Sequence, residues 1–127
     1  DFGLSEYFYN NEFMCDKFCG KKVYQAPEIY HKRKYYNAIK ADLWSLGVTL
    51  FMMHTGLPLY QTPTKNDAYF CNTVNGFIKQ MLSEWDMDHY IPSNGYDLLK
   101  NIFKSEKHRY NMKEILNHSY LKSVKQH

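Results

Sequence analysis

The chain has 127 residues, which is enough for one modest domain with one hydrophobic core. Hydrophobic residues make up 44% of it and aromatic residues 17%, so we expect it to fold. The net charge of +3 is too small to indicate nucleic-acid binding, and we expect no membrane segment and no signal peptide. Three cysteines without a disulfide spacing favour reduced thiols and a cytoplasmic location.

The first quarter of the chain predicts an ordered loop. Residues 1–28 lack a long hydrophobic periodicity and contain Gly3 and Gly20. A short helix is expected over residues 29–34, followed by a linker.

The most informative stretch is residues 41–53, which from Leu43 to Met53 are apolar on nearly every side. A surface helix would show a polar face at period 3.6, so this stretch predicts a helix buried in the core. We expect Asp42 to begin the helix, where a carboxylate suits the positive end of the helix dipole. Gly47 in mid-helix indicates that a neighbour packs closely against it. Gly56 followed by Pro58 predicts the end of the helix.

Residues 65–85 carry two helical faces, which Asn75 and Gly76 separate. These apolar positions are either part of the core or an interaction surface. They are Phe70 and Val74 on the first face, and Phe77, Ile78, Met81, Leu82 and Trp85 on the second.

Two more helices are expected near the end of the chain. Ser93 or Asn94 can cap the first, and Asn111 with Glu114 three residues on resembles a capping box for the second, which ends at 117–118. No alternating strand and no internal repeat occurs, so the predicted fold is mainly α. The expected inward positions are Tyr96, Leu99, Ile102, Phe103, Ile115 and Leu116.

Four motifs occur in a characteristic order. Residues 1–3 read Asp-Phe-Gly, residues 26–28 read Ala-Pro-Glu, residues 42–47 read Asp-Leu-Trp-Ser-Leu-Gly, and Arg109 precedes the last predicted helix. Short motifs such as these are common by chance one at a time, but their joint order and spacing are highly specific. Over nearly its whole length the chain resembles the C-terminal half of a eukaryotic protein kinase catalytic domain.

The resemblance implies a fold and its boundaries. Residues 1–122 would be a partial protein kinase domain, with an activation segment at 1–28, a helical C-lobe at 29–122 and a C-terminal tail at 123–127. The whole domain would be α+β with two lobes, of which this chain supplies the mainly helical one.

The resemblance also implies cofactors. In the family, the Asp of the first motif chelates the Mg²⁺ that bridges the ATP phosphates, and here that residue is Asp1. A carboxylate oxygen suits this hard cation. Phe2 would be the residue whose packing sets active and inactive states, and Gly3 would permit the backbone turn that moves Asp1. ATP and Mg²⁺ are the expected cofactors, and a protein is the expected substrate.

Several residues have structural roles by the same resemblance. Glu28 and Arg109 would form a buried ion pair that clamps the substrate loop to the C-lobe. Asp42 would hold the backbone of the catalytic loop, and Trp44 and Gly47 would belong to the central helix. A Glu–Arg pair without this context is usually a surface pair of small energy.

The loop that receives the substrate would contain Phe18, Lys21, Lys22 and Gln25. Serine/threonine kinases usually carry threonine where this chain has Lys21, and lysine cannot accept a hydrogen bond. Tyrosine kinases usually place Pro and Trp before the Ala-Pro-Glu motif, and this chain does not, so serine/threonine specificity is favoured. The basic floor predicts acidic residues after the target hydroxyl. The alternative is that the lysines face solvent.

The activation segment contains no threonine, so activation by a phosphothreonine is not expected. The carboxylates of Glu12 and Asp16 either stand in for a phosphate or, as is more common, are solvated loop charges. The hydroxyl-bearing residues are Ser5, Tyr7, Tyr9 and Tyr24.

The sequence contains no Gly-rich phosphate loop and no His-Arg-Asp catalytic loop. Both precede the Asp-Phe-Gly motif in the family, so we expect a fragment whose partners are the N-lobe and catalytic loop of the same protein. Alone, the fragment is expected to be marginally stable and to transfer no phosphate. The alternative is a pseudokinase or a C-lobe that acts as a protein-binding module, with residues 65–85 as its surface.

Two weaker signals remain. Cys15 and Cys19 are four residues apart, but no second cysteine pair or suitable histidine pair accompanies them, so a zinc site is not expected. Residues 31–34 read His-Lys-Arg-Lys, and so short a run more often forms a solvated face than a binding patch.

Overall fold

The computed structural model describes residues 24–125, with side-chain surroundings through residue 122. These residues form seven α-helices, one 3-10 helix and no strand, which confirms the mainly α fold class. In chain order the elements are α1 (Pro27–Tyr30), α2 (Ala38–Thr55), α3 (Ala68–Val74), α4 (Ile78–Ser83), the 3-10 helix Asp88–Tyr90, α5 (Ser93–Ile102), α6 (Met112–Leu116) and α7 (Ser119–Lys125).

Helix α2 is the centre of the core, and it begins earlier than the sequence indicates. The side chain of Asn37 accepts a hydrogen bond from the Lys40 N–H at 3.0 Å and caps the helix there. The expectation that Asp42 begins the helix is therefore wrong, and the Asp42 side chain lies exposed one turn further on. The predicted end is confirmed, because Gly56 adopts a φ of 72° and its N–H donates to the Met52 carbonyl at 2.7 Å.

Gly47 lies where helix α2 packs closely against the end of helix α5. A Cβ atom at this position would lie 2.8 Å from Ile102 Cγ2 and 3.0 Å from the ring of Phe103. Both of these side chains are buried. The predicted close packing at Gly47 is confirmed, and the absence of a side chain there lets the two helices meet.

Helices α3 and α4 are separate short helices, as Asn75 and Gly76 predict. Gly76 adopts a φ of 82°, which interrupts the helical path. The two faces of this region divide between the core and the surface. Phe70, Ile78, Met81 and Leu82 are buried, whereas Val74, Phe77 and Trp85 are exposed.

Helix α5 begins at Ser93 without any side-chain cap, so the expectation that Ser93 or Asn94 caps it is wrong. Pro92 occupies the N-cap position, and its ring already fixes the entry angle at a φ of −68°. The inward face otherwise agrees with the prediction. Leu99, Ile102 and Phe103 are buried, and Tyr96 is half buried.

Helix α1 is shorter than expected and begins earlier. It spans Pro27–Tyr30, with Pro27 in the first turn, where a missing N–H costs nothing. Lys32 adopts a left-handed φ of 55°, which a continuing helix could not contain. The predicted helix over 29–34 is therefore wrong in its bounds.

The predicted capping box of helix α6 is confirmed in both directions. Asn111 Oδ1 accepts the Glu114 N–H at 2.8 Å, and Glu114 Oε1 accepts the Asn111 N–H at 2.8 Å. Ile115 is buried as expected, whereas Leu116 is only half buried.

Helix α7 was not anticipated by the sequence pattern, and it runs to Lys125. His118 Nδ1 accepts the Tyr120 N–H at 3.0 Å, so a neutral His118 ring carries its proton on Nε2, 2.7 Å from Asp97 Oδ2. The Tyr120 hydroxyl lies 2.7 Å from His54 Nε2 and ties this helix to α2. Among the helices that the structure describes, none is long and apolar enough to cross a membrane.

Candidate functional site

Arg109 is buried, and its guanidinium is bonded on several sides. Nη1 and Nη2 donate to the two carboxylate oxygens of Glu28 at 2.7 and 3.0 Å, a bidentate pair. Nη1 also donates to the Lys40 carbonyl at 2.8 Å, and Nε donates to the Lys104 carbonyl at 3.1 Å. Removal of two charges from water is tolerable only when hydrogen bonds such as these replace the lost hydration.

The backbone fixes both ends of this ion pair. Glu28 lies in the first turn of α1, and the Arg109 N–H donates to the Ser105 carbonyl at 2.9 Å in the loop before α6. The Lys40 ammonium donates to the Arg109 carbonyl at 2.7 Å and to the Glu106 carbonyl at 3.3 Å. The pair therefore joins α1, the start of α2 and the loop before α6.

Lys40 was missed in the sequence. A lysine in the first turn of a helix is unfavourable toward the helix dipole, and that mismatch is a signal that it bonds elsewhere. Its main-chain carbonyl accepts a hydrogen bond from Arg109 Nη1, and its ammonium donates one to the Arg109 carbonyl.

Trp44 forms the floor under the guanidinium. The Arg109 guanidinium carbon lies 4.8 Å from the centre of the Trp44 ring, within cation–π range. Phe103 packs edge-on against the same ring at 4.9 Å, and Trp44 Nε1 donates to the Tyr60 hydroxyl at 2.7 Å. Burial raises the pKa of Tyr60 well above its ordinary value, so this hydroxyl stays neutral. Tyr60 had no motif that could have identified it.

The chain before α1 is fastened to helix α2. Ser45 Oγ donates to the Tyr24 carbonyl at 2.5 Å, and the Tyr24 hydroxyl donates to Met52 Sδ at 3.1 Å. Burial raises the pKa of Tyr24. Together with the ion pair at Glu28, these bonds hold residues 24–28 against the helical body.

The predicted site residues fall into three groups. Glu28, Arg109, Trp44 and Gly47 lie in or beside the core around α2, and the structure brings the first three together. Gln25 is half buried and Asp42 is exposed. The other predicted residues lie outside the described part of the chain: Asp1, Phe2, Gly3, Ser5, Tyr7, Tyr9, Glu12, Cys15, Asp16, Phe18, Cys19, Lys21 and Lys22.

Within residues 24–122, one cluster of side chains has the ligand types and spacing that could hold a metal ion. Asp86, Asp88 and His89 offer ligand atoms that lie within 4.8 Å of one another. Exposed acidic groups of this kind are common without an ion, so the cluster does not define a metal centre.

Comparison with known proteins gives a consistent result. A family model described as protein kinase domain matches residues 1–121. The probable serine/threonine-protein kinase MARK-A of Dictyostelium discoideum is 34% identical over 127 residues, which is 99% of this chain and 11% of that protein. Serine/threonine-protein kinase unc-51 of Caenorhabditis elegans is 34% identical over 97% of this chain and 14% of its own length. Calcium-dependent protein kinase 26 of Oryza sativa subsp. japonica is 34% identical over 96% of this chain and 21% of its own length.

The chain therefore spans between about a tenth and a fifth of these curated relatives. The matched residues run from the Asp-Phe-Gly motif to the last helix, and they include the Ala-Pro-Glu motif and its buried arginine partner. On this match, the chain belongs to the protein kinase domain family.

Proposed function

We propose that the protein containing this chain transfers the γ-phosphate of ATP to serine or threonine hydroxyls of protein substrates. The observation that carries the proposal is the buried bidentate pair between Glu28 and Arg109, inside a chain that matches the kinase family over residues 1–121. The names of the similar proteins support the serine/threonine class. Cytoplasmic location remains a prediction from cysteine usage.

In this proposal the ion pair positions the substrate. Glu28 follows the substrate loop directly, and Arg109 anchors it to the loop before α6. Phe18, Lys21, Lys22 and Gln25 would then form a floor of fixed position for the residues that follow the target hydroxyl. Fixed geometry matters, since a misplacement of about 1 Å can cost about a hundredfold in rate.

Asp1, which Phe2 and Gly3 follow in the sequence, would bind Mg²⁺, and the Mg²⁺ would in turn bind ATP. The donor set fits, because a carboxylate is the oxygen ligand that Mg²⁺ takes in phosphate-bearing sites. Bound Mg-ATP would supply the phosphoryl group and neutralise part of its charge. The 127 residues contain no His-Arg-Asp loop to orient the hydroxyl, so we propose that alone they transfer no phosphate.

The full-length protein, supplied with radiolabelled ATP and Mg²⁺, tests the proposal. Peptides that carry serine or threonine should be labelled at least about tenfold faster than matched tyrosine peptides. Asp1→Asn should lower kcat by about a hundredfold or more, because a metal ligand is lost. Asp88→Asn, a carboxylate at the surface, is the matched control and should change kcat less than about twofold. Labelling by the isolated 127 residues would contradict the proposed inactivity.

A protein-binding role without catalysis is the second candidate. One observation favours it: the rings of Tyr69 and Trp85 pack edge to face with their centres 5.6 Å apart, and yet the two residues remain 45% and 41% exposed. If the full-length protein labels no hydroxyl, but Tyr69→Ala with Trp85→Ala abolishes capture of a cellular partner, this role replaces the first. The presence of a His-Arg-Asp loop upstream of Asp1 would favour the kinase instead.

A further inference from the structure

An open groove lies beside the start of helix α2, and Lys40 belongs both to its lining and to the hydrogen bonds around Arg109. Its volume is about 570 Å³. Its lining combines aromatic rings with charged and amide groups, from the segment between α1 and α2 on one side and the loop before α6 on the other. The lining residues are Tyr35, Tyr36, Asn37, Lys40, Glu106 and Lys107.

The aromatic rings in this groove are unusually open to solvent. Tyr35 is 80% exposed and Tyr36 is 46% exposed. The Lys34 ammonium lies over the Tyr35 ring, 5.6 Å from the ring centre, within cation–π range. The groove thus offers flat apolar surface with a cation at its edge.

The charge around these rings is strongly one-sided. Lys32, Arg33, Lys34 and Lys107 all have exposed side chains. Among the described residues that line the groove, Glu106 is the acidic one, and its carboxylate is already engaged. One oxygen accepts the Asn37 N–H, and the other lies 3.7 Å from Arg33 Nη1. The groove therefore keeps a surplus of positive charge.

Helix α2 adds to that positive potential. Asn37 is its N-cap and also lines the groove, so the positive end of an 18-residue helix faces this side. The Lys40 ammonium is occupied by the carbonyls of Glu106 and Arg109, which fixes the floor of the groove.

The basic segment is held in one shape by its backbone. The Lys32 N–H donates to the Ile29 carbonyl at 3.0 Å, and the Arg33 N–H donates to the Glu28 carbonyl at 3.1 Å. Lys32 takes its left-handed conformation within this turn. A preformed turn loses less conformational freedom on binding than a flexible chain would.

We propose that this groove, here called the basic groove, binds a short acidic peptide segment of a protein partner. Carboxylates of the segment would meet Lys32, Lys34 and Lys107, and an aromatic side chain would pack on Tyr35. Lys32 and Lys34 in the turn after α1, with Lys107 in the loop before α6, match a short run of carboxylates, whereas a nucleic-acid strand is held along a longer track of cations and stacking rings. The proposal concerns binding alone and does not depend on phosphate transfer.

The test is fluorescence anisotropy on the full-length protein with a labelled probe peptide, Glu-Glu-Phe-Glu-Glu-Phe-Glu-Glu. A counterpart with Gln at every Glu position should bind at least tenfold more weakly. Lys34→Glu with Lys107→Glu should raise the Kd of the acidic peptide at least tenfold, and Tyr35→Ala should raise it about threefold. Binding should weaken as salt rises, because exposed charges are screened within about 10 Å at 0.1 M salt.

Lys79→Glu with Lys113→Glu is the matched control, because it makes the same charge change at exposed lysines outside the groove. It should change the Kd less than twofold, and circular dichroism should show that every variant remains folded. Equal weakening by both double variants would overturn the proposal, since only net charge would then matter. Equal binding of the two peptides would also overturn it. So would displacement of the labelled acidic peptide by a 12-nucleotide uridine RNA at a lower concentration than the unlabelled acidic peptide requires.

Discussion

Two arginine–glutamate pairs lie near the start of helix α2: Arg109 with Glu28 inside the fold, and Arg33 with Glu106 at its surface. The inner pair makes two hydrogen bonds at 2.7 and 3.0 Å, and its side chains are 0% and 3% exposed. The outer pair approaches to 3.7 Å, and the Arg33 side chain is 63% exposed. The chemical groups are the same, and their access to water differs.

That difference decides what each pair contributes. Water competes with Glu106 for the exposed guanidinium of Arg33, so the attraction between the two side chains adds little free energy of folding. Both side chains of the inner pair are buried, so removal of Glu28 would leave Arg109 as a buried charge without its partner. The inner pair therefore matters for stability mainly because the loss of Glu28 would leave the buried charge of Arg109 uncompensated.

Glu28→Gln gives the largest effect expected. The variant keeps the size of the side chain but leaves Arg109 with no compensating charge, so the free energy of unfolding should fall by about 3–5 kcal/mol. Urea unfolding of the full-length protein, followed by circular dichroism, measures it. Glu106→Gln is the matched control at the outer pair, and a loss as large there would abolish the contrast between the two sites.

Gly47→Ala should have the second-largest effect. It tests whether the core around the inner pair can rearrange to make room for one methyl group. The new methyl group would lie 2.8 Å from Ile102 Cγ2 and 3.0 Å from the Phe103 ring, both buried. Overpacking should outweigh the gain in helix propensity and cost about 1–2 kcal/mol in free energy of unfolding. Differential scanning calorimetry should show a lower Tm, and an unchanged Tm would mean that helix α5 shifts freely.

Asp67→Ala addresses a partly exposed carboxylate that, like the carboxylate of Glu106, accepts hydrogen bonds from backbone N–H groups. Its oxygens accept the N–H groups of Gln61, Thr62, Tyr69 and Phe70 at 2.8–3.1 Å and cap helix α3. Loss of the cap should cost about 1 kcal/mol in free energy of unfolding, which urea titration would measure. Asp67→Asn, which keeps one acceptor oxygen, should lose less than Asp67→Ala.

The same residue predicts a dependence on pH. Burial raises the pKa of Asp67, but the hydrogen bonds from Thr62, Gln61, Phe70 and Tyr69 lower it more, so the net pKa lies below its ordinary value of 3.8. A lowered pKa gives stability that is complete above that value and is lost as the pH falls through the folded-state pKa. Unfolding free energies of wild type and Asp67→Ala should therefore converge below about pH 4. A difference that stays constant to pH 2 would contradict this origin.

Arg33→Ala should have the smallest effect, about 0–1 kcal/mol in free energy of unfolding. The Tm of Arg33→Ala should change little between 0.05 and 0.5 M salt, and this change should be about as large as the change in the Tm of wild type. A loss comparable to that of Glu28→Gln would show that exposure does not separate the two pairs.

The inner pair could be predicted because two motif residues define it, 81 positions apart in sequence. The outer pair could not, since nothing in the run of residues 31–34 specifies Glu106 as the partner. Trp44 was identified by its motif, yet its partner Tyr60 was not, because a lone tyrosine after Pro58 carries no periodic signal. Lys40 was also missed, since lysine in a helical pattern ordinarily predicts a solvated position.

Helix ends were predicted most accurately where they depend on the chemistry of neighbouring residues in the sequence. The glycine stop at Gly56 and the capping box at Asn111 depend on residues within one turn of each other, and both were correct. The start of α2 was missed because Asn37 and Asp42 are both good capping residues, and the sequence does not show which is used. The exposure of Phe77 and Trp85 depends on what packs against α4, which no local pattern records.

The span of 81 residues between Glu28 and Arg109 has a consequence for synthesis of the chain. A ribosome that adds about 5–20 residues per second needs about 4–16 s to travel from the first residue of the pair to the second. During that interval Glu28 and the residues before it have no anchor at Arg109, whatever helices have already formed. The pair therefore cannot close before helices α1 to α5 have been synthesised, whereas α6 and α7 follow Arg109 in the chain.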